Sequence, residues 1–249
     1  MVTVPYIIET GSITPLTIEG FRPRKKVAFL IQGQGGAHNA SFNSIIDLLI
    51  VRGYDYITAC RNTVAGAFCR DITSVTKKNI VDKISNLADE LTEQDVLFTA
   101  ILGASVLENG RVYIPDNNLG AIWSYELRDA LGMIPAHHVI HYVSPDRYAG
   151  NLARTLSGAR HPDLGKRHIA IAPTIPRRKH TFRPHTPKSS REAYVNAFHF
   201  EFFNPQNRPS LEARFTSAAE YQHRHCAPHR LYKAYMRTNV DPQTVVSTQ

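Results

Sequence analysis

The chain is poor in cysteine and tryptophan, with three and one among 249 residues. Cys60, Cys69 and Cys226 are too few and too scattered for a disulfide framework, and no pair has the CxxC spacing of a zinc site. No apolar run approaches the roughly 18 residues of a membrane span, and the first residues lack the pattern of a secretion signal. We therefore expect a cytoplasmic protein with no membrane partner, no metal and no other cofactor.

What the chain has is enough apolar sequence for a core. Hydrophobic residues make up 43% of the chain and charged residues 20%, in the range of a globular domain. We predict a single domain over residues 25–235. An N-terminal arm over 1–24 precedes it, and a C-terminal tail over 236–249 follows it.

The positive charge is concentrated in the second half of the chain. The formal net charge of +8 divides into −2 for residues 1–150 and +10 for residues 151–249. A proline-rich loop predicted at 174–190 contains four of these basic residues, which are Arg177, Arg178, Lys179 and Arg183. Such a loop suits an acidic protein or peptide segment. Nucleic acid is the weaker alternative because Phe182 is the only aromatic side chain within the loop, and a solvated basic face explains the charge equally well.

Short apolar runs alternate with segments of helical spacing. Five runs are predicted as strands: 25–32, 54–60, 95–105, 137–143 and 167–173. Helices are predicted after Gly35–Gly36, after Thr76, and over 121–131, 147–156, 189–203 and 209–225. Residues 61–75 are predicted to be a turn-rich connection, and 111–114 a short hairpin strand. The order predicts an α/β fold with a mainly parallel central sheet flanked by helices on both faces.

The succession of these segments resembles a known family. FNSIIDLL is followed by RGYDYIT, by TKKNIVDKISNLADEL, and by DVLF leading to a glycine turn. A helix with an Glu-Leu pair and a strand entering Tyr148-Ala149-Gly150 come next. Over roughly residues 25–225 the chain resembles the caspase-haemoglobinase fold, closest to bacterial relatives of legumain. The resemblance implies a three-layer sandwich and a cysteine peptidase ancestry.

The same resemblance implies where a catalytic dyad would lie, and the residues there are unsuitable. In the family an aspartate opens the third strand, that strand ends in a His-Gly pair, and the fourth ends in a cysteine. Asp95 and Gly103 match, but the histidine position is Leu102, and the cysteine position is Arg147 or, with a shorter strand, Ser144. The resemblance therefore implies a catalytically degenerate pseudo-peptidase that acts as a binding or regulatory protein.

Two alternatives remain open from the sequence. One is an active cysteine peptidase with a rearranged dyad, for which Cys60, at the end of the second predicted strand, is the best-placed thiol. The other is a basic nucleic-acid-associated protein on the same fold. A metal site at the C-terminal cluster of His223, His225, Cys226 and His229 is disfavoured, because the cluster lacks a second matching pair of ligands.

Overall fold

The computed structural model describes the chain in twelve parts. These are residues 5–11, 21–33, 39–61, 69–103, 106–108, 111–115, 120–145, 148–174, 176, 197–204, 210–225 and 233–239.

The centre of the molecule is a sheet built on strands that are apolar on both faces. β2 (Lys26–Gln32), β5 (Val96–Gly103) and β10 (His168–Ala172) are buried along almost their whole length. β9 (His138–Pro145) lies between β5 and β10 and pairs parallel with both. Strands covered on both faces have near-continuous apolar sequences, which is why the sequence predicts these strands well.

Four further strands extend the sheet at its two edges. β3 (Tyr56–Cys60) and β4 (Cys69–Thr73) continue it beyond β2. β11 (Ala234–Thr238) runs antiparallel to β10, and β1 (Tyr6–Thr10) pairs parallel with β11. The order across the sheet is β1-β11-β10-β9-β5-β2-β3-β4. The predicted mainly parallel sheet is confirmed.

Helices cover both faces of the sheet, which completes three layers. α2 (Lys77–Glu90), α3 (Ser124–Gly132) and α4 (Ala149–Leu156) pack on one face. α1 (Asn39–Val51), α5 (197–202) and α6 (Leu211–His225) pack on the other. We call these the α2 face and the α1 face. The fold class expected from the sequence is confirmed.

Two local predictions are confirmed, and a third needs adjustment. The Thr76 side chain caps α2 by accepting a hydrogen bond from the Asn79 amide at 3.1 Å. The strand predicted at 111–114 is β7 (Arg111–Pro115), which pairs with β6 (Val106–Glu108) and β8 (Ala121–Trp123) in a second, three-stranded sheet. The helix predicted from 121 starts at Ser124, because residues 121–123 pair with β7.

Three segments at the sheet edges differ from the sequence prediction. The connection predicted at 61–75 contains β4, which pairs with β3. The predicted arm over 1–24 contributes β1, and the predicted boundary after residue 235 falls inside β11. Edge strands are short and only partly buried, so their sequences lack a continuous apolar run, and their pairing is set by tertiary contacts.

Candidate functional site

The carboxyl ends of β2, β5 and β9 meet at one edge of the sheet. Leu102 pairs with Ser144, and Gly103 with Pro145, in the parallel register of β5 and β9. The Gly33 amide, just after β2, donates to the Leu102 carbonyl at 2.7 Å. Open α/β folds place their ligands at such an edge. The structure thus brings two of the predicted site positions, Leu102 and Ser144, side by side.

Gly103 forms the glycine turn predicted at the end of β5. Its φ of +106° lies where residues with a side chain are strained. A Cβ at this position would also lie 2.9 Å from the Gly33 carbonyl carbon and oxygen. Both the conformation and the close approach of the two backbones require glycine here.

Leu102 is part of the hydrophobic core. Its side chain is 1% exposed, and it belongs to the apolar cluster on the α1 face together with Leu30 and Ala100. A leucine can neither accept nor donate a proton. The position that the resemblance assigns to a catalytic histidine therefore contributes packing at this edge.

The predicted nucleophile position lies where β9 leads into α4. Ser144 is the seventh residue of β9, but its side chain falls outside the described residues, as does the whole of Arg147. Tyr148 precedes α4 with a left-handed φ of 57°. For a residue other than glycine this conformation costs about 1–2 kcal/mol. Backbone conformations that disfavour side chains thus occur after both β5 and β9.

Cys60, the alternative nucleophile, is a buried thiol. It is 0% exposed at the end of β3, and its Sγ lies 3.4 Å from Thr73 Oγ1 in a hydrogen bond. Burial raises the pKa of the Cys60 thiol, which opposes formation of the reactive thiolate. β2 lies between β3 and β5, and among the described residues no histidine contacts Cys60. The arrangement gives Cys60 neither exposure nor a base.

The predicted basic binding residues fall outside the part of the chain that the structure describes. These are Arg177, Arg178, Lys179 and Arg183, and the same holds for Cys226 and His229 of the C-terminal cluster. Their roles stay predictions.

Asp95, which opens β5, lies at the opposite end of the sheet from Leu102. Seven residues of strand separate the two, or about 23 Å. The Asp95 carboxylate is fully buried and accepts hydrogen bonds from Arg24 Nε and Nη2 at 3.2 and 2.9 Å, and from the Thr92 amide and hydroxyl at 2.8 and 2.9 Å. Burial raises the pKa of Asp95, but these hydrogen bonds outweigh it and leave the pKa lowered. Asp95 is thus a structural clamp at the start of β5.

A hydrogen-bonded chain of buried polar side chains crosses the α2 face. Thr99 Oγ1 lies 2.7 Å from His141 Nδ1, and His141 Nε2 lies 2.8 Å from His168 Nδ1. Burial lowers the pKa of His141 well below its usual value and that of His168 to about 3, so both are neutral near pH 7. Two histidines within apolar strands are the only sequence signal for this chain. Among the described residues no group of histidine, cysteine, aspartate and glutamate side chains could hold a metal ion.

Comparison with known proteins gives the fold a name. No protein-family model and no curated protein matches the sequence. Among solved structures the chain is similar to the caspase drICE, with a TM-score of 0.53, 13% identity, and 91% of this chain and 92% of drICE covered. It is similar to the Drosophila initiator caspase Dronc, with a TM-score of 0.50, 9% identity, and 84% and 77% covered. Protein GSU0716 from Geobacter sulfurreducens gives a TM-score of 0.53 at 12% identity, with 89% and 97% covered.

The chain therefore has a caspase-like fold. At 9 to 13% identity these similarities show the fold and assign no role to any residue. Within the described parts of the chain, no helix is long and apolar enough to cross a membrane.

Proposed function

We propose that this protein is a catalytically inactive protein of the caspase-like fold that acts by binding another protein. The observation that carries the proposal is Leu102, which lies in the hydrophobic core at the end of β5, directly opposite Ser144 at the end of β9. Thiol peptidases need a thiolate beside an imidazole, because the imidazole delivers the proton to the leaving amine. The described residues at this edge supply neither group.

The burial of Cys60 argues against a rearranged dyad. A nucleophile must reach a substrate carbonyl, and a fully buried thiol with a raised pKa is poorly suited to that step. The Lys83 ammonium favours the thiolate but is itself paired with Asp71, whose charge opposes it. Desolvation prevails over these neighbouring charges.

The partner that fits best is an acidic protein segment. Arg147 follows β9 by two residues at the same edge, and a guanidinium presents a planar fork that suits carboxylates. Arg177, Arg178, Lys179 and Arg183 belong to the half of the chain that carries a formal charge of +10. Their charge would speed the encounter with an acidic partner and make its affinity depend on salt.

Binding to an array of acidic peptides tests this proposal, with a variant in which Arg177, Arg178, Lys179 and Arg183 are all serine. We expect affinity for acidic peptides in the wild-type protein and an approximately tenfold or larger loss in the variant. The matched control replaces four exposed basic residues elsewhere, Lys78, Arg154, Arg160 and Arg224, with serine and so removes the same charge. The control variant should keep most of the affinity.

Two outcomes would contradict the proposed partner. If both quadruple variants lose the same affinity, net charge alone drives the binding. If the wild-type protein instead binds single- or double-stranded DNA more tightly than any acidic peptide, with affinity that falls steeply with salt, the partner is nucleic acid.

A further inference from the structure

A small cavity at the amino end of the sheet is lined by two arginines. Arg52 lies just after α1, and Arg214 lies in the first turn of α6. Tyr54 and His138 supply the other polar lining groups, and the rest of the lining is apolar. This cavity is separate from the edge discussed above, because its walls include the first residue of β5 and the first residue of β9.

The two guanidinium groups are only partly hydrogen-bonded. Arg214 is 6% exposed; its Nε and Nη2 donate to the Phe202 carbonyl at 3.2 and 2.9 Å, and its guanidinium carbon lies 4.8 Å from the centre of the Phe202 ring. Arg52 Nη2 donates to the Asn204 carbonyl at 3.3 Å, while the buried Arg52 Nε has no partner. Within the described parts of the chain, neither arginine forms an ion pair with a carboxylate.

Buried charges without a counter-charge destabilise a fold. Burial and the nearby Arg52 charge lower the pKa of Arg214 to about 9, which still leaves it charged at neutral pH. Burial likewise lowers the pKa of Arg52 and raises that of the Tyr54 hydroxyl to about 12, so the tyrosine remains a donor. The unmet need at this site is thus for negative charge and hydrogen-bond acceptors.

We propose that this cavity binds a small monovalent anion, either a halide ion or a single carboxylate group, between Arg52 and Arg214. The cavity volume of about 30 Å³ sets the size. Each water molecule needs roughly 10–15 Å³ on this measure, so the space suits one or two atoms of a ligand and excludes a whole phosphate or sulfate. Arg52 Nε, the Arg214 guanidinium and the Tyr54 hydroxyl supply the donors.

Bromide is the first probe because its anomalous scattering locates it directly in a crystal. We expect an anomalous peak between the two guanidinium groups in crystals of the wild-type protein grown in sodium bromide. In solution, urea unfolding is measured against bromide concentration at constant ionic strength, with a bulky morpholine sulfonate replacing bromide. An anion that binds only the folded protein lowers the unfolding equilibrium constant about tenfold at a concentration ten times its Kd.

Formate and acetate distinguish the two sources of the anion. Saturable stabilisation by bromide alone identifies a halide site, whereas stabilisation by formate and acetate identifies a site for a carboxylate group. Either result supports the proposal. The Arg52→Met variant should lose the saturable dependence, and the control Arg61→Met should keep it, because Arg61 is a buried arginine at the far end of β3.

Two results would overturn the proposal. One is a wild-type crystal in which the cavity holds only water at high bromide, together with unfolding that is insensitive to all three anions. The other is a dependence on anions that Arg52→Met leaves unchanged. The crystallographic result needs no variant, so it stands even if Arg52→Met fails to fold.

Discussion

The two ends of the central sheet differ in chemistry. At the carboxyl end, where this class of fold places ligands, the described residues provide a buried leucine, Leu102, and tight turns at Gly103 and Tyr148. At the amino end, the described residues include the Asp95–Arg24 ion pair and the cavity between Arg52 and Arg214. The comparison teaches that backbone geometry typical of a catalytic edge can be present without the side chains that perform catalysis.

The largest expected effect concerns acid, and it tests how much of the buried polar chemistry depends on neutral imidazoles. Burial lowers the pKa of His138 and of His168 to about 3, and it lowers the pKa of His141 as well. The unfolded chain takes up protons below about pH 6.5 that the folded protein cannot, so the free energy of unfolding falls as the pH falls from about 6.5 toward 3. Each imidazole contributes about 1.4 kcal/mol per pH unit, or roughly 4 kcal/mol for three.

Urea unfolding at pH 7, 6 and 5 measures this slope. The His168→Leu variant should lose about a third of it, and the control His225→Asn, an exposed histidine, should leave it unchanged. A wild-type slope close to zero would mean that these imidazoles are accessible to protons in the folded state.

The second prediction returns an imidazole to the carboxyl end. Leu102→His should lower the free energy of unfolding by about 3 kcal/mol, because it places a polar group in the apolar cluster of the α1 face. Chemical denaturation measures the loss, and Leu102→Met, which conserves volume, should cost less than about 1.5 kcal/mol. A stable Leu102→His variant that cleaves peptides would show that the edge needs only this one side chain for catalysis.

The third prediction concerns the clamp at the amino end. Asp95→Asn should lower the free energy of unfolding by about 2–3 kcal/mol, because the neutral amide accepts weaker hydrogen bonds from Arg24 and Thr92. The lowered pKa of Asp95 gives the sign: its contribution is present above about pH 4 and is lost as the pH falls through the folded-state pKa. Thermal unfolding at pH 7 compares the variant with the control Asp129→Asn, an exposed carboxylate, which should have little effect.

The sequence predicts the centre of this molecule better than its edges. The strands β2, β5, β9 and β10 are evident because burial on both faces requires continuous apolar runs, and the Thr76 cap is a local signal. The edge strands β1, β4 and β11 have no comparable local signal, since neighbouring strands determine their pairing.

The candidate sites follow the same rule. Leu102 and Ser144 were placed together because parallel strands end at one edge. The cavity between Arg52 and Arg214 joins residues from α1 and α6, and no local pattern relates them. The same holds for the contact of His141 with His168, which depends on the register of β9 and β10.

The most direct test of the central claim is a cleavage assay with a peptide library that carries every residue at each position. The wild-type protein is compared with Cys60→Ala and Ser144→Ala, which remove the buried thiol and the hydroxyl at the end of β9. The account predicts no cleavage by the wild-type protein above the level of either variant. Cleavage by the wild-type protein that Cys60→Ala or Ser144→Ala abolishes would contradict it and identify an active peptidase.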